Sequence, residues 1–215
     1  MSFSPCLSAI LARTSRRAAA ALCVSFFAAA PALAAEFRDP KNVFVITYDE
    51  TVWSLDTDAS GDFGVECQDA ACKGSFAGCS LSKQRSPHRS AEHIMQSFDA
   101  EGIAREQLAA FAAQKAELED AVAGTVRWDK SADVMPELVQ PYARVQIGGR
   151  PVLQAEYRMS MAGSLARYVS YMTATASHSI AMVCHAAEAD IETWRPRFEA
   201  LMAAFRPAPS VGSVR

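Results

Sequence analysis

The order of patterns along this sequence predicts an α+β fold, an antiparallel β-sheet packed against helices. Period-two apolar segments occupy residues 43–81, helical periodicity runs from 91 to 122, period two returns from 125 to 185, and a last helical stripe ends near 206. Strands, helices, strands and a helix do not alternate as a parallel α/β chain would, so the helices are expected to segregate onto an antiparallel sheet. No internal repeat interrupts this order.

Residues 1–34 read as a secretory signal peptide. Arg13, Arg16 and Arg17 form a positive start, an alanine-rich apolar stretch runs from Ala18 to Ala30, and Pro31-Ala32-Leu33-Ala34 supplies the small-x-small cleavage pattern. A permanent anchor would need about 20 strongly apolar residues, and Ser25 and Pro31 interrupt this stretch. Leu22 before Cys23 fits a lipoprotein poorly. Cleavage therefore delivers a soluble domain at 35–206, with 207–215 as a disordered tail, and the expected location is periplasmic or secreted.

The first strands are Val43–Tyr48 and Thr51–Leu55, both rich in β-branched and aromatic residues. A polar loop at 56–62 separates them from Phe63–Cys67 and Phe76–Leu81. Ser86-Pro87 offers a helix start, and Ala91, Ile94, Met95 and Phe98 share a face. The segment Ile103–Val122 repeats apolar residues at Leu108, Phe111, Leu118 and Val122, with Gly124 as a stop. The stretch 129–142, with Pro136 and Pro141, reads as a loop.

Beyond it, Val145 and Ile147 alternate with polar neighbours, and Gly148-Gly149 makes a tight hairpin. Leu153, Ala155, Tyr157, Met159 and Met161 line one face of the next strand; Gln154, Glu156, Arg158 and Ser160 line the other. After a turn at Ala162-Gly163, Ala166–Thr175 and Ser179–Cys184 complete a meander. Trp194, Phe198, Leu201, Met202 and Phe205 then form a helical stripe, with Thr193 as a cap and Pro196 in the first turn. Pro207-Ala208-Pro209 ends that helix.

Loss of the leader, with its three arginines and no acid, takes the net charge from −3 to −6. That balance argues against nucleic acid as a partner. Four cysteines survive cleavage: Cys67, Cys72, Cys79 and Cys184. In an oxidising compartment an even number reads as two disulfides with three possible connectivities. The preferred pairing is Cys67 with Cys72 locally and Cys79 with Cys184 across the sheet. The second bridge would contribute about 4 kcal/mol in the chain-entropy model. Zinc is the rival reading, but the cluster lacks C-x2-C spacing.

The layout resembles the PsbP-like family of secreted or lumenal α-β-α sandwich domains. The residues that carry the likeness are Phe44-x-Ile46-x-Tyr48 running into Trp53, strand Ile180–Cys184, and the helix ending Met202-Ala203-Ala204-Phe205-Arg206. The resemblance covers most of 42–206, although the cysteine cluster at 67–79 departs from the family pattern. It implies a non-catalytic domain that binds proteins or small ligands, and it transfers no catalytic residues.

Candidate chemistry is sparse. His88 and His93 lack the i, i+4 spacing of a helical metal pair, and His178 and His185 belong to other elements. Ser164 lacks a G-x-S-x-G elbow. Cys184 and His185 are neighbours on a strand and so point to opposite faces. Asp56 and Asp58 belong to a polar loop. The basic stretch Lys83–Arg89 is a candidate for anionic contacts, though a solvated connection is its ordinary employment. Tyr48, Trp53, Trp128, Tyr157, Tyr168 and Tyr171 are candidates for a ligand groove or for the core. No metal or cofactor is called for. The expectation is an exported, non-catalytic binding or accessory protein whose partner is another protein or a small molecule, with no membrane span after cleavage. The alternative is a secreted hydrolytic or metal-dependent enzyme using the histidines.

Overall fold

A computed structural model of the chain describes residues 34–56, 62–68, 72, 76–88, 90–122, 133–161 and 163–209. Residues 1–33 of the expected signal peptide 1–34, together with Asp58, Arg89, Gly124, Trp128 and the tail beyond 209, lie outside them. In chain order the elements are β1 (Ala34–Arg38), β2 (Phe44–Asp49), β3 (Trp53–Leu55), β4 (Phe63–Cys67), β5 (Gly78–Arg85), α1 (Ala91–Gln96), α2 (Ala100–Val122), β6 (Glu137–Ile147), β7 (Arg150–Met161), β8 (Ser164–Ala174) and β9 (His178–Ala187). A 3-10 turn (Glu188–Asp190) leads into α3 (Ile191–Ala204), and β10 (Arg206–Pro207) follows.

Seven strands form one antiparallel sheet in the order β3-β4-β5-β9-β8-β7-β6, and β1-β2-β10 form a second, smaller one. The α+β expectation is met. Alternation sorts the side chains of the large sheet between two faces. Val152, Val169, Tyr171, Ile180, Met182, Cys184, Cys79, Leu81 and Val65 meet α3 and the small sheet through Trp194, Phe198, Leu201, Phe44 and Ile46. On the other face, Ala155, Tyr157, Met159, Ala166 and Tyr168 pack on Phe111 of α2. Leu153 and Ala174 pack on Ile94 and Met95 of α1.

The β6–β7 hairpin turns through Gly148 and Gly149, with φ of 57° and 75°, the left-handed values a two-residue hairpin of this type demands. Gly148 has a second reason to be glycine. A Cβ there would lie 2.9 Å from the Ala203 Cα.

Four local expectations need correction. The α1 cap is Ser90, whose hydroxyl accepts from the His93 amide at 3.1 Å; Ser86-Pro87 belongs to the connection before it. Residues 137–142 are strand β6, not loop. Register shifts fall between Leu138 and Gln140 and between Gln140 and Ala143, the second containing Pro141, and an edge strand with bulges tolerates a residue that cannot donate. Pro196 lies inside α3 rather than in its first turn, because the helix starts at Ile191 with Asp190 as its cap residue. The polar face of β7 is not a solvent face. Glu156 and Ser160 are both buried.

Glu156 lies under α3. Arg195 of that helix grips it with two hydrogen bonds of 2.6 and 3.2 Å, and Arg167 of β8 adds a third at 3.3 Å. Arg167 also binds Glu188 through Nε at 2.8 Å, and Arg195 binds Glu192. A buried carboxylate is tolerable only with such partners. On the opposite face Lys115 plays the matching part. It occupies the buried stripe of α2 beside Ala104 and Phe111, and its ammonium reaches Glu119, Asp133 at 2.7 Å and the Ser160 carbonyl at 3.0 Å. Lys115 thereby ties residue 133 to β7.

Candidate functional site

The two faces of the large sheet are covered unequally. Helix α3 and the small sheet bury residues from β3 through β9 and on to Val152 and Ile147. Helix α2 lies over β6, β7 and β8 and reaches only Val183 of β9. Beside it the surface of β4, β5 and β9 is left as a groove of about 310 Å³. Gln107, Ala110, Phe111 and Gln114, at helical steps of three and four, form one wall. Glu66 of β4, Ser80 of β5, Tyr168, Val183 and His185 form the floor and far side, with Asp56 at the end.

His185 is the centre of this surface. Its ring lies 5.7 Å from Tyr168 and 6.4 Å from Phe76, in a near-parallel stack with the latter. Tyr168 continues to Phe111 at 4.9 Å. An aromatic path thus runs from the exposed Phe76 to the core under α2. Gly78, paired with His185 across β5 and β9, makes room for the ring; a Cβ there would meet His185 Cε1 at 3.1 Å. Burial pushes the His185 pKa down, against a hydrogen bond to the Phe76 backbone that pulls it up. The ring is therefore neutral at pH 7. Burial also pushes the Tyr168 hydroxyl up to about 12. Both are hydrogen-bonding groups in this groove, not charges.

Phe76 has φ of 36°, a left-handed value that a bulky side chain rarely adopts. With 43% of its surface exposed, it borders a smaller cavity lined by Glu66, Cys67, Cys72, Ala77 and His185. Strain of this kind persists only where the surroundings impose it. Here a hydrogen bond from the Cys67 amide to the Ala77 carbonyl, 3.0 Å, fixes the following residue.

The four cysteines surround the same end of the sheet. The structure joins Cys67 to Cys72, and Cys79 to Cys184 between adjacent strands β5 and β9. Cys184 faces α3 while His185 faces the groove, so thiol and imidazole are on opposite sides of β9. The histidines do not converge. His88 and His93 are exposed around the start of α1, and His178 begins β9 seven residues from His185. Among the described residues no group of three or more His, Cys, Asp or Glu is placed to hold a metal ion. Ser164 is exposed at the start of β8.

Of the aromatic candidates, Tyr157 and Tyr171 are fully buried, and Tyr168 walls the groove. Tyr48 and Trp53 line a separate cleft beside α3. The basic stretch is divided. Lys83 is in β5, with its ammonium between Asp39 at 2.7 Å and Asp62 at 2.5 Å. Burial works against the Lys83 charge, but the two carboxylates outweigh it and raise the pKa. Arg85 and His88 are exposed. Sequence reading missed Phe76, Gly78, Gln107 and Gln114 as site residues. The Gln107-x6-Gln114 spacing on a helix was the one signal for them.

No protein-family model matches the sequence, and no curated protein matches it. Solved structures do. CyanoP, the cyanobacterial PsbP of Synechocystis, superposes with a TM-score of 0.52 at 15% identity, over 84% of this chain and 95% of that one. LpqN of Mycobacterium tuberculosis, described as involved in cell envelope biogenesis, gives 0.48 at 11% identity over 82% and 91%. A Bacteroides thetaiotaomicron protein gives 0.48 at 10% identity over 82% and 49%. With the large antiparallel sheet between the α1–α2 layer on one face and α3 with the small sheet on the other, the chain has the PsbP-like fold.

Proposed function

We propose that this is an exported, non-catalytic binding protein that uses the α2-side groove to hold a polar, uncharged or cationic ligand. The observation that carries the reading is the groove itself: a concave surface built on rigid strands, where aromatic faces alternate with amide, hydroxyl and carboxylate groups. Glu66 disfavours anions there. His185, stacked on Phe76 and beside Tyr168, lines the groove as a hydrogen-bonding group. Export is supported by the leader pattern at 1–34 and by cysteines joined across strands, which persist outside the cytosol. Among the described residues no helix is long and apolar enough to cross a membrane.

A photo-crosslinking amino acid at Gln107, on the groove wall, tests the reading in intact cells against the same probe at Ala109, on the exposed side of α2. A discrete adduct at 107 and none at 109 is expected, on a periplasmic product that starts at Ala35. Identical adducts at both positions, or none at either, would refute a groove that binds.

A further inference from the structure

The two disulfides lie at one end of the large sheet and differ in what surrounds them. Cys79 and Cys184 join the adjacent strands β5 and β9, with 4% and 0% of their surfaces exposed, and both belong to the core under α3. No external thiol reaches a sulfur there unless that core opens. Cys67 and Cys72, five positions apart, are placed differently. Cys67 is half-buried at the end of β4, and both cysteines line the cavity of about 150 Å³ beside Phe76 and His185.

Strand β4 does not depend on this bridge. Its residues Phe63, Val65 and Glu66 pair with Leu81, Cys79 and Gly78 of β5. Cys67 itself pairs with Trp53 of β3, and its amide donates to the Ala77 carbonyl at 3.0 Å. The backbone therefore holds Cys67 in place whether or not its sulfur is bonded. Opening the bridge removes no strand pairing.

We propose that Cys67 and Cys72 form a thiol–disulfide exchange site for a dithiol outside the cytosol, while Cys79–Cys184 is a structural bridge that does not exchange. The rate of exchange follows the access of a thiolate to the sulfur, and access is what the two pairs do not share. One thiolate of the dithiol attacks Cys67 Sγ. The Cys67–Cys72 bond breaks, a mixed disulfide forms, and Cys72 leaves as a thiolate. The second thiolate of the dithiol then attacks its own sulfur in the mixed disulfide and releases Cys67. Two electrons pass to the protein, the dithiol ends as a disulfide, and the two protons it gives up end on Cys67 and Cys72. Cys67 is the sulfur attacked because Cys72 is the more buried of the two, with 8% of its surface exposed. The site is separate from ligand binding in the groove and does not rest on it.

Graded reduction of the oxidised mature protein with dithiothreitol, trapped with iodoacetamide and read by peptide mass spectrometry, tests the proposal. Label is expected on Cys67 and Cys72 in full before any appears on Cys79 or Cys184. The half-reduced protein should keep a cooperative thermal transition, and oxidised dithiothreitol should restore the original bridge. Single-sulfur variants read the point of attack. Cys72→Ser should take up glutathione on Cys67 from oxidised glutathione, and Cys67→Ser should leave Cys72 unmodified. Labelling of all four cysteines together, or of none until the thermal transition is lost, would overturn the exchange site and make both bridges structural. Equal uptake of glutathione by the two variants would overturn the assignment of Cys67.

Discussion

The α3 face and the α2 face of the same sheet are built to different ends. On the α3 side Trp53, Trp194 and Phe198 pack with ring centroids 5.5–6.3 Å apart, and one apolar cluster spans the sheet, with a cleft at Tyr48 and Trp53 beside the helix. On the α2 side α1 and α2 cover only part of the sheet, and the surface they leave carries Ser80, Glu66 and His185 into the groove. Stability is concentrated where the apolar cover is complete, and recognition is available where it stops.

The sharpest way to break that contrast is to cut into the core under α3. Phe198→Ala should cost about 3–5 kcal/mol in urea unfolding, as large cavities in aromatic cores do, whereas Ser80→Ala on the open face should stay within about 0.5 kcal/mol. Similar costs for the two would erase the distinction. Next in size is the strand-to-strand bridge. The pair Cys79→Ala with Cys184→Ala opens a loop spanning 105 positions and should lose about 3–5 kcal/mol; an unchanged midpoint would show that the bridge contributes nothing.

Glu156→Gln is smaller. It strands Arg195 and Arg167 against each other under α3, and about 2 kcal/mol is expected because Glu192 and Glu188 still partly neutralise them. Smallest is the acid response of the turn before α3. A hydrogen bond from Arg167 holds the Glu188 carboxyl below its ordinary value, so its contribution is complete above about pH 4.5 and is lost as pH falls through the lower, folded value. Wild type and Glu188→Gln should therefore differ at pH 6 and converge at strongly acid pH. A gap that widens on acidification would contradict the pairing.

Local periodicity made much of this legible. Leu153, Ala155, Tyr157 and Met159 alternate cleanly, and β7 follows them; Trp194, Phe198, Leu201 and Met202 mark α3 as plainly. What escaped depends on partners far along the chain. Lys83 reads as a solvent charge until Asp39, 44 positions away, closes on it. Glu156 reads as an outward residue until Arg195 arrives from α3. Lys115 falls on the apolar stripe of α2 between Phe111 and Leu118, a charge out of place there until Asp133 matches its ammonium. The first half of β6, 137–142, was hidden by Pro141 and by side chains exposed nearly throughout, which leaves no alternation to read there. The groove was hidden for a related reason: periodicity fixes which side of α2 faces the sheet but not how far across the sheet the helix lies.

Ser80→Trp, a bulky ring built into the floor of the groove, reports on both halves of the account at once. The melting temperature should move by no more than about 2 °C, the scale of a surface change, while crosslinking from position 107 disappears. A fall in melting temperature as deep as that of Phe198→Ala, or crosslinking that persists with the groove filled, would contradict it.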